Sequence, residues 1–451
     1  MPPKIALLTC LVFVIWLLKV ERRQNTEVSL VLWIPTFYFM IMSSRPIASW
    51  LSPGSSGGSI EEGSPLDRII LTCLVFIAIF ILSRRKIEWN QMFKNNRWLI
   101  LLYLILALSF FWSGYPYNSF KRWFKIIAIV FMGFMIISEQ KPLQALESIF
   151  RRSAYILIPL SIVLIKYYPI YGMDYSSGGS PMGSGVATQK NGLGIICSFL
   201  VFFLICRVYF KWRTGELFRN RSNALADAIV IGIGLFLLFG GGKSYSATSV
   251  LVFIVGMILL ILFHKYSTLT KFVGNNIKVV LIISIVLYLL LYSVLLPFIT
   301  SSLGRREDLT DRDIIWTKVY KIAEEHPILG TGYGGFWGLD PRSYEDFNVS
   351  QAHNGYLDVY LQVGIVGLIT LTFFIFEFSG NIRNTINYDY DWGIFGMCFL
   401  AMMLLHNYVE GDFIRSNCLW TITVFLTIVF SIYGFYPQVL KNPQNDTANN
   451  A

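Results

Sequence analysis

Charge is what this sequence has least of. Only 14% of its 451 residues are Asp, Glu, Lys or Arg, while 55% are hydrophobic; an ordinary soluble protein carries roughly 25% charged residues. That deficit excludes a soluble globular chain. Cysteine is also scarce. The six (Cys10, Cys73, Cys197, Cys206, Cys398 and Cys418) lie in or beside apolar runs, with no CxxC and no paired loop spacing. This argues against a disulfide framework or a zinc site and for small buried apolar residues. No small-residue cleavage site follows the first apolar run, which continues into Val20-Glu21-Arg22-Arg23, so it reads as a retained span rather than a signal peptide. No internal repeat is evident, which disfavours an inverted-repeat transporter.

What remains is apolar sequence in lengths that suit a bilayer of roughly 30 Å. Thirteen stretches qualify: 5–20, 28–42, 69–82, 98–112, 123–138, 153–168, 191–210, 225–240, 246–263, 277–298, 356–376, 392–408 and 418–436. Several are short, so twelve spans is a close alternative to thirteen. The expected fold is all-α, a polytopic transmembrane helical bundle, because only helices or closed barrels satisfy backbone polar groups in lipid. Four segments are expected: membrane helices over 1–298, a large outward loop with a short helix over 299–355, further membrane helices over 356–436, and a cytoplasmic tail over 437–451.

The net charge of +10 does not indicate nucleic acid, because the basic residues sit in short loops. Arg84, Arg85, Lys86, Lys94 and Arg97 follow the third stretch, and Arg207, Lys211, Arg213, Arg219 and Arg221 follow the seventh. The positive-inside rule places those loops in the cytoplasm and the loop from Ile299 to Ala352 outside. That loop is too small for an independent domain. Thr310-Asp311-Arg312-Asp313 has the form of a capping box, and Ile315, Val319, Ile322 and Ala323 mark one apolar helix face. Pro327 ends this helix. Gly330, Gly332, Gly334 and Gly335, interleaved with Tyr333, Phe336 and Trp337, suggest a backbone lying flat at the membrane interface.

Three spans begin on the outward face with Lys190, Lys243 or His353. A cation there opposes the helix dipole, whereas a bound anion would reverse the sign and gather N–H groups, dipole and cations onto a phosphate. Snorkelling to lipid headgroups is the competing account of the two lysines. His353 precedes Asn354-Gly355 at a helix start, where imidazole is suited to general base work. Two other patterns fail. Gly240-Gly241-Gly242-Lys243-Ser244 lacks the phosphate-loop glycine at position 237, which is Leu237. Asp311 and Asp313 have a DxD form used for divalent metals, but helix capping explains them, and no metal or cofactor is expected.

The run HNGYLDVYLQVGIVG (353–367) fits His-Asn-x9-Gly-x-x-Gly, which resembles the signature of the O-antigen ligase and polysaccharide polymerase superfamily, especially its exopolysaccharide polymerase branch. LTDRDIIW (309–316), EHPILGTGYGGFW (325–337), QKNGLG (189–194) and FFWSGYP (110–116) resemble further motifs of that superfamily. The resemblance implies a GT-C-like glycosyltransferase of the bacterial inner membrane, with its active face periplasmic. Its donor is then an undecaprenyl-diphosphate-linked oligosaccharide, and its acceptor a growing chain or lipid A-core. Transfer is inverting and metal-independent, and the resemblance implies polysaccharide export and chain-length proteins as further partners. By position His353 and Arg312 become the catalytic pair. Lys190, Lys243, Arg305 and Arg306 become diphosphate contacts, with Arg122 a secondary cation, and Glu410 and Asp412 are acceptor contacts. The chain departs from the pattern at Asp311, where glycine is usual, and at Lys243, where arginine is commoner. The alternative is a flippase of lipid-linked sugars, which predicts ionisable residues within spans; the apolar stretches are nearly free of them.

Overall fold

The computed structural model describes residues 1–51, 64–85, 87–175, 179–216, 221–241, 245–283, 307–337, 339–340, 343 and 351–434. The principal helices are α1 (Pro3–Gln24), α2 (Trp33–Ser43), α3 (Pro65–Arg84), α4 (Arg97–Leu108), α5 (Pro116–Ile137), α6 (Pro142–Tyr167), α7 (Lys190–Arg213), α8 (Arg221–Leu238) and α9 (Ala247–Lys265). After them come α10 (Glu307–Ala323), α11 (Gly355–Tyr388), α12 (Tyr390–Val409) and α13 (Cys418–Ser431). A small antiparallel hairpin, β1 (Met173–Tyr175) with β2 (Pro181–Gly183), is the strand pairing among the described residues. Among the described residues, eight helices are long and apolar enough to cross a membrane, and the apolar helices at Leu30–Ser43, Arg97–Phe111 and Cys418–Gly434 are shorter. The chain is thus an all-α polytopic membrane protein. The expected span 277–298 lies mostly outside the described residues, as does the 437–451 tail.

The chain forms two compact units that interleave along the sequence. The first comprises Met1–Ile87, Phe124–Leu260 and Ala401–Phe425, the second Glu88–Trp123, Ile261–Leu400 and Leu426–Ala451. In the first unit, α6 packs against α1, α2, α7 and α8. Buried charge lies both in extensions beyond the apolar runs, as at Arg151, and inside the runs, as at Arg207 and Asp227. Arg151 Nε lies 3.0 Å from Asp227 Oδ1, both fully buried, and Arg152 Nε lies 2.9 Å from Glu21 Oε2. Arg207 pairs with both Asp227 and Glu147, and Lys211 Nζ stands 3.3 Å from Glu147. Gln24 and Asn223 each accept from Arg151, and the Arg152 guanidinium lies 5.0 Å from the Trp33 ring centroid. Buried charge is tolerated only where it is paired and hydrogen-bonded. This clasp meets that condition and ties α1, α6, α7 and α8 together. The expectation of spans nearly free of ionisable residues is corrected accordingly: neutralised pairs let the helices continue where hydropathy alone ends them.

In the second unit α4 and α10 pack against α11. Asn96 precedes α4 without capping it. Glu377 of α11 does so from across the interface, accepting the Trp98 N–H at 3.2 Å, where a carboxylate also suits the positive end of the helix dipole. Stacked Trp98 and Phe373 rings, 4.3 Å apart at their centroids, seal the same contact. Five of the six cysteines are buried as expected, while Cys73 is exposed.

Candidate active site

An α-helix leaves four N–H and four C=O groups unpaired at its ends, so an interruption inside a helix creates new orphans of both kinds. Helix α11 is interrupted at Gly364, whose φ of 64° and ψ of −160° are not helical. Short hydrogen bonds from one loop satisfy both sides. The carbonyls of Leu361 and Gln362 accept the N–H groups of Thr331 and Gly332, each at 2.9 Å. Beyond the break, the N–H groups of Ile365 and Val366 donate to the carbonyls of Pro327 (2.9 Å) and Ile328 (3.3 Å). Two backbones approach closely enough here to require glycine. A Cβ on Gly364 would stand 2.3 Å from the Ile328 carbonyl carbon, and one on Gly330 2.4 Å from that of Gln362. The nine residues between Asn354 and Gly364 are therefore a short helix of two and a half turns with a fixed far end.

The same loop is held from its other side by the 110–116 segment and its neighbours. Trp112 Nε1 donates to Leu329 O at 3.0 Å, and the Tyr333 N–H donates to Ser109 Oγ at 2.9 Å. Arg122 donates to Gly334 O at 2.7 Å and to Trp337 O at 3.1 Å, while Gln362 Oε1 accepts the Gly334 N–H. The loop is thus a structural wedge in a broken helix, rather than an aromatic strip lying flat. Arg122, expected as a secondary cation, holds two backbone carbonyls of that wedge.

Over the first half of α11 lies α10. Its anticipated apolar face is real: Val319, Ile322 and Ala323 form a core with Phe336, Trp337, Ala352 and Leu361, against which Ile315 packs. The helix begins at Glu307, so Thr310–Asp313 lies within its first turns rather than before its start. Buried Asp358 ties the parts together, its Oδ1 accepting from Trp337 Nε1 at 2.8 Å and from the Ala352 N–H at 3.1 Å. Trp316 Nε1 in turn donates to Ala352 O at 2.9 Å.

His353 follows that anchored residue. Its φ of 51° is left-handed, a conformation that costs a non-glycine residue of order 1–3 kcal/mol and gathers at functional sites. Asn354 then caps α11, its Oδ1 accepting the N–H groups of Tyr356 and Leu357 at 3.1 Å. The half-buried imidazole meets the side-chain amide of Gln351 at its Nδ1, 3.2 Å away. Arg312, also half-buried, sits one turn before Trp316 and therefore on the same face of α10. The structure thus carries both proposed catalytic residues on one module. Beside them runs an open groove of about 500 Å³, walled by Trp316, Tyr320, Asn354, Tyr356, Leu357 and Tyr360 among others.

The remaining expected residues divide differently. Lys190 is the first residue of α7, in the first unit, where Gln189 provides no side-chain cap. In that unit Asn191 Nδ2 donates to Glu410 Oε1 at 3.1 Å, and Asp412 meets His406. Lys243, Arg305 and Arg306 lie outside the described residues. Asp358, Gln362 and the break at Gly364 went unread in the sequence. A signal was present: an acid and an amide four residues apart in an apolar run are expensive in a membrane helix and face the same way.

No curated protein matches the chain. Residues 232–372, which take in α10, the wedge loop, His353 and the break, match the family model described as O-antigen ligase, a similarity that agrees with the resemblance read from the motifs.

Proposed function

We propose that this membrane glycosyltransferase moves an oligosaccharide from undecaprenyl diphosphate to a sugar hydroxyl, on the periplasmic face of a bacterial inner membrane. The observation that carries the reading is His353, held in a left-handed turn between a buried anchor and a helix cap. Rotating the Gln351 amide puts its oxygen on Nδ1, fixes the ring proton there, and makes Nε2 the basic nitrogen. Nε2 then takes the acceptor proton as the hydroxyl attacks the anomeric carbon, with inversion, and the diphosphate leaves. Arg312 offers a planar, permanently charged donor set for the phosphate oxygens. A lipid diphosphate is a good leaving group, so fixed cations suffice without a metal. Lys190, at an uncapped helix start, has the local chemistry of a phosphate contact, and Glu410 and Asp412 that of sugar-hydroxyl contacts. The exopolysaccharide-type motifs favour a polymerase over a ligase.

Purified protein supplied with lipid-linked oligosaccharide should release undecaprenyl diphosphate as sugar is transferred. His353→Ala should lower the rate by about 10²–10⁴-fold, the usual worth of a general base. His326→Ala, on an exposed residue beyond α10, should leave it unchanged. Wild-type turnover in His353→Ala removes the assigned role.

A further inference from the structure

The chain leaves α9 through a short helix, Ser267–Asn275, and residues 277–283 beyond it are helical again. Within the second unit this short helix packs on the end of α11. Its buried residues are Thr270 and Gly274, one turn apart, and a Cβ on Gly274 would stand 2.8 Å from Ile386 Cδ1. The opposite face is open: Leu269 and Phe272 are exposed, the latter by 62%, and so is Lys271 between them. A helix that seals one face and turns apolar and basic side chains outward has the composition of one lying in a membrane interface. Glu377 of α11 meets α4 at Trp98, next to Arg97 in the basic run 84–97, so this end of the unit is the one the positive-inside rule assigns to the cytoplasm.

Two further cations stand at that end. Lys278 is exposed and lies against α11 where that helix has no side chain, since a Cβ on Gly380 would stand 3.8 Å from Lys278 Cε and 3.9 Å from its Nζ. Arg383, also exposed, is three residues on from Gly380 and so projects from the neighbouring turn of α11. Among the described residues neither of them, nor Lys271, has an acidic partner. Glu377 and Asp389 are engaged elsewhere, on the Trp98 N–H and on the Trp392 N–H at 3.1 Å. Beyond Lys278 the chain turns apolar while staying exposed, at Val279, Ile282 and Ile283. Unpaired positive charge and uncovered apolar surface thus meet within one turn of helix.

We propose that Lys278 and Arg383, with the outer face of the 267–275 helix, form a binding site for an anionic phospholipid of the cytoplasmic leaflet. The two cations hold its phosphate, as basic pockets between membrane helices do on that side, and its acyl chains lie against Val279, Ile282 and Ile283. A soluble anion would answer the charges but leave the apolar surface uncovered. A zwitterionic lipid would bring a third cation to the two already there. The competing account, in which each cation snorkels alone into bulk headgroups, needs no convergence of two helices and gives no selective, saturable binding. The site stands apart from the transferase reading and does not depend on it.

The test titrates full-length, delipidated protein in detergent with phosphatidylglycerol or with phosphatidylcholine of the same acyl chains, and counts bound lipid by native mass spectrometry. Phosphatidylglycerol should saturate a site that phosphatidylcholine does not fill. Lys278→Gln with Arg383→Gln should weaken that binding by about 25-fold, which is about fivefold for each cation removed, whereas the charge-keeping pair Lys278→Arg with Arg383→Lys should stay close to wild type. The control is Lys19→Gln with Arg23→Gln, two exposed cations on the single helix α1 that also have no acidic partner among the described residues; it should bind as wild type does. Equal weakening in the two glutamine pairs would assign the attraction to overall charge and overturn the site. Equal binding of the two lipids by the wild-type protein would overturn it without any variant. Displacement of phosphatidylglycerol by inorganic phosphate at millimolar concentration would overturn the lipid assignment in favour of a soluble anion.

Discussion

The clasp of the first unit and the module around His353 solve the same problem with opposite chemistry. In the clasp, Arg151, Arg152 and Arg207 are set against Glu21, Glu147 and Asp227, and the arginines are all but sealed from solvent. Around His353 the buried connections are mostly neutral: indole and backbone N–H groups on Asp358, glycine amides on helix carbonyls, and an asparagine cap. Apart from buried Asp358, the ionisable groups named there, His353 and Arg312, stay half-buried. Charge that answers only charge can hold helices together, but it is committed. Under the proposed function, a scaffold that binds its helices mostly through N–H and carbonyl groups is what presents the imidazole and guanidinium to a substrate.

The sharpest way to break this comparison is to remove charge from each side. Asp227→Asn leaves Arg151 and Arg207 facing one carboxylate fewer and should cost about 3–5 kcal/mol, the penalty of an uncompensated buried charge. The readout is thermal unfolding in detergent, with loss of folded protein the expected extreme. Gly364→Ala comes next. Its methyl group would meet the Ile328 backbone in a left-handed conformation, so about 1–3 kcal/mol should be lost, and transferase activity should fall further than the melting temperature alone explains. Asp358→Asn keeps an oxygen for Trp337 and Ala352 and should cost only about 1 kcal/mol. A loss as large as that of Asp227→Asn would erase the distinction between the two regions.

The smallest effect concerns pH. Glu139, between α5 and α6, is pushed upward by burial, but hydrogen bonds from Ser29 and Arg85 win and hold it below its ordinary value of 4.5. A carboxyl depressed in the folded state adds stability that is complete above that ordinary value and is lost as pH falls through the folded one. Glu139→Gln should therefore flatten the acid limb of the melting-temperature profile, with its small loss of stability present at neutral pH and vanishing in acid. An unchanged acid limb would remove Glu139 from the contributors.

The helices were largely legible because apolar length is a strong signal in membranes, and the apolar face of α10 followed from Ile315, Val319, Ile322 and Ala323. Helix ends were not. Arg151 falls before the stretch 153–168 when hydropathy is counted alone, and its pairing with Asp227 goes with a helix that starts at Pro142. His353 and Arg312 were found through their motifs, and the structure adds the reason for the spacing, because the interval from Asn354 to Gly364 is one capped and clamped helix segment. The clamp itself escaped notice, since its bonds run between backbone groups of 327–332 and 361–366, which no side-chain pattern records. Asp412 was singled out, but its contact with His406 was not, because a six-residue separation across a turn matches no helical or strand period.

The break at Gly364 also uncouples two registers. In an uninterrupted helix, inserting one residue rotates everything beyond it by about 100°. Here the 355–363 segment takes its orientation from the cap at Asn354 and the wedge of residues 327–332, while the part beyond Gly364 is free to follow its own packing. The membrane-spanning half of α11 can therefore gain or lose residues, and so track bilayers of different thickness, without turning the segment that His353 precedes.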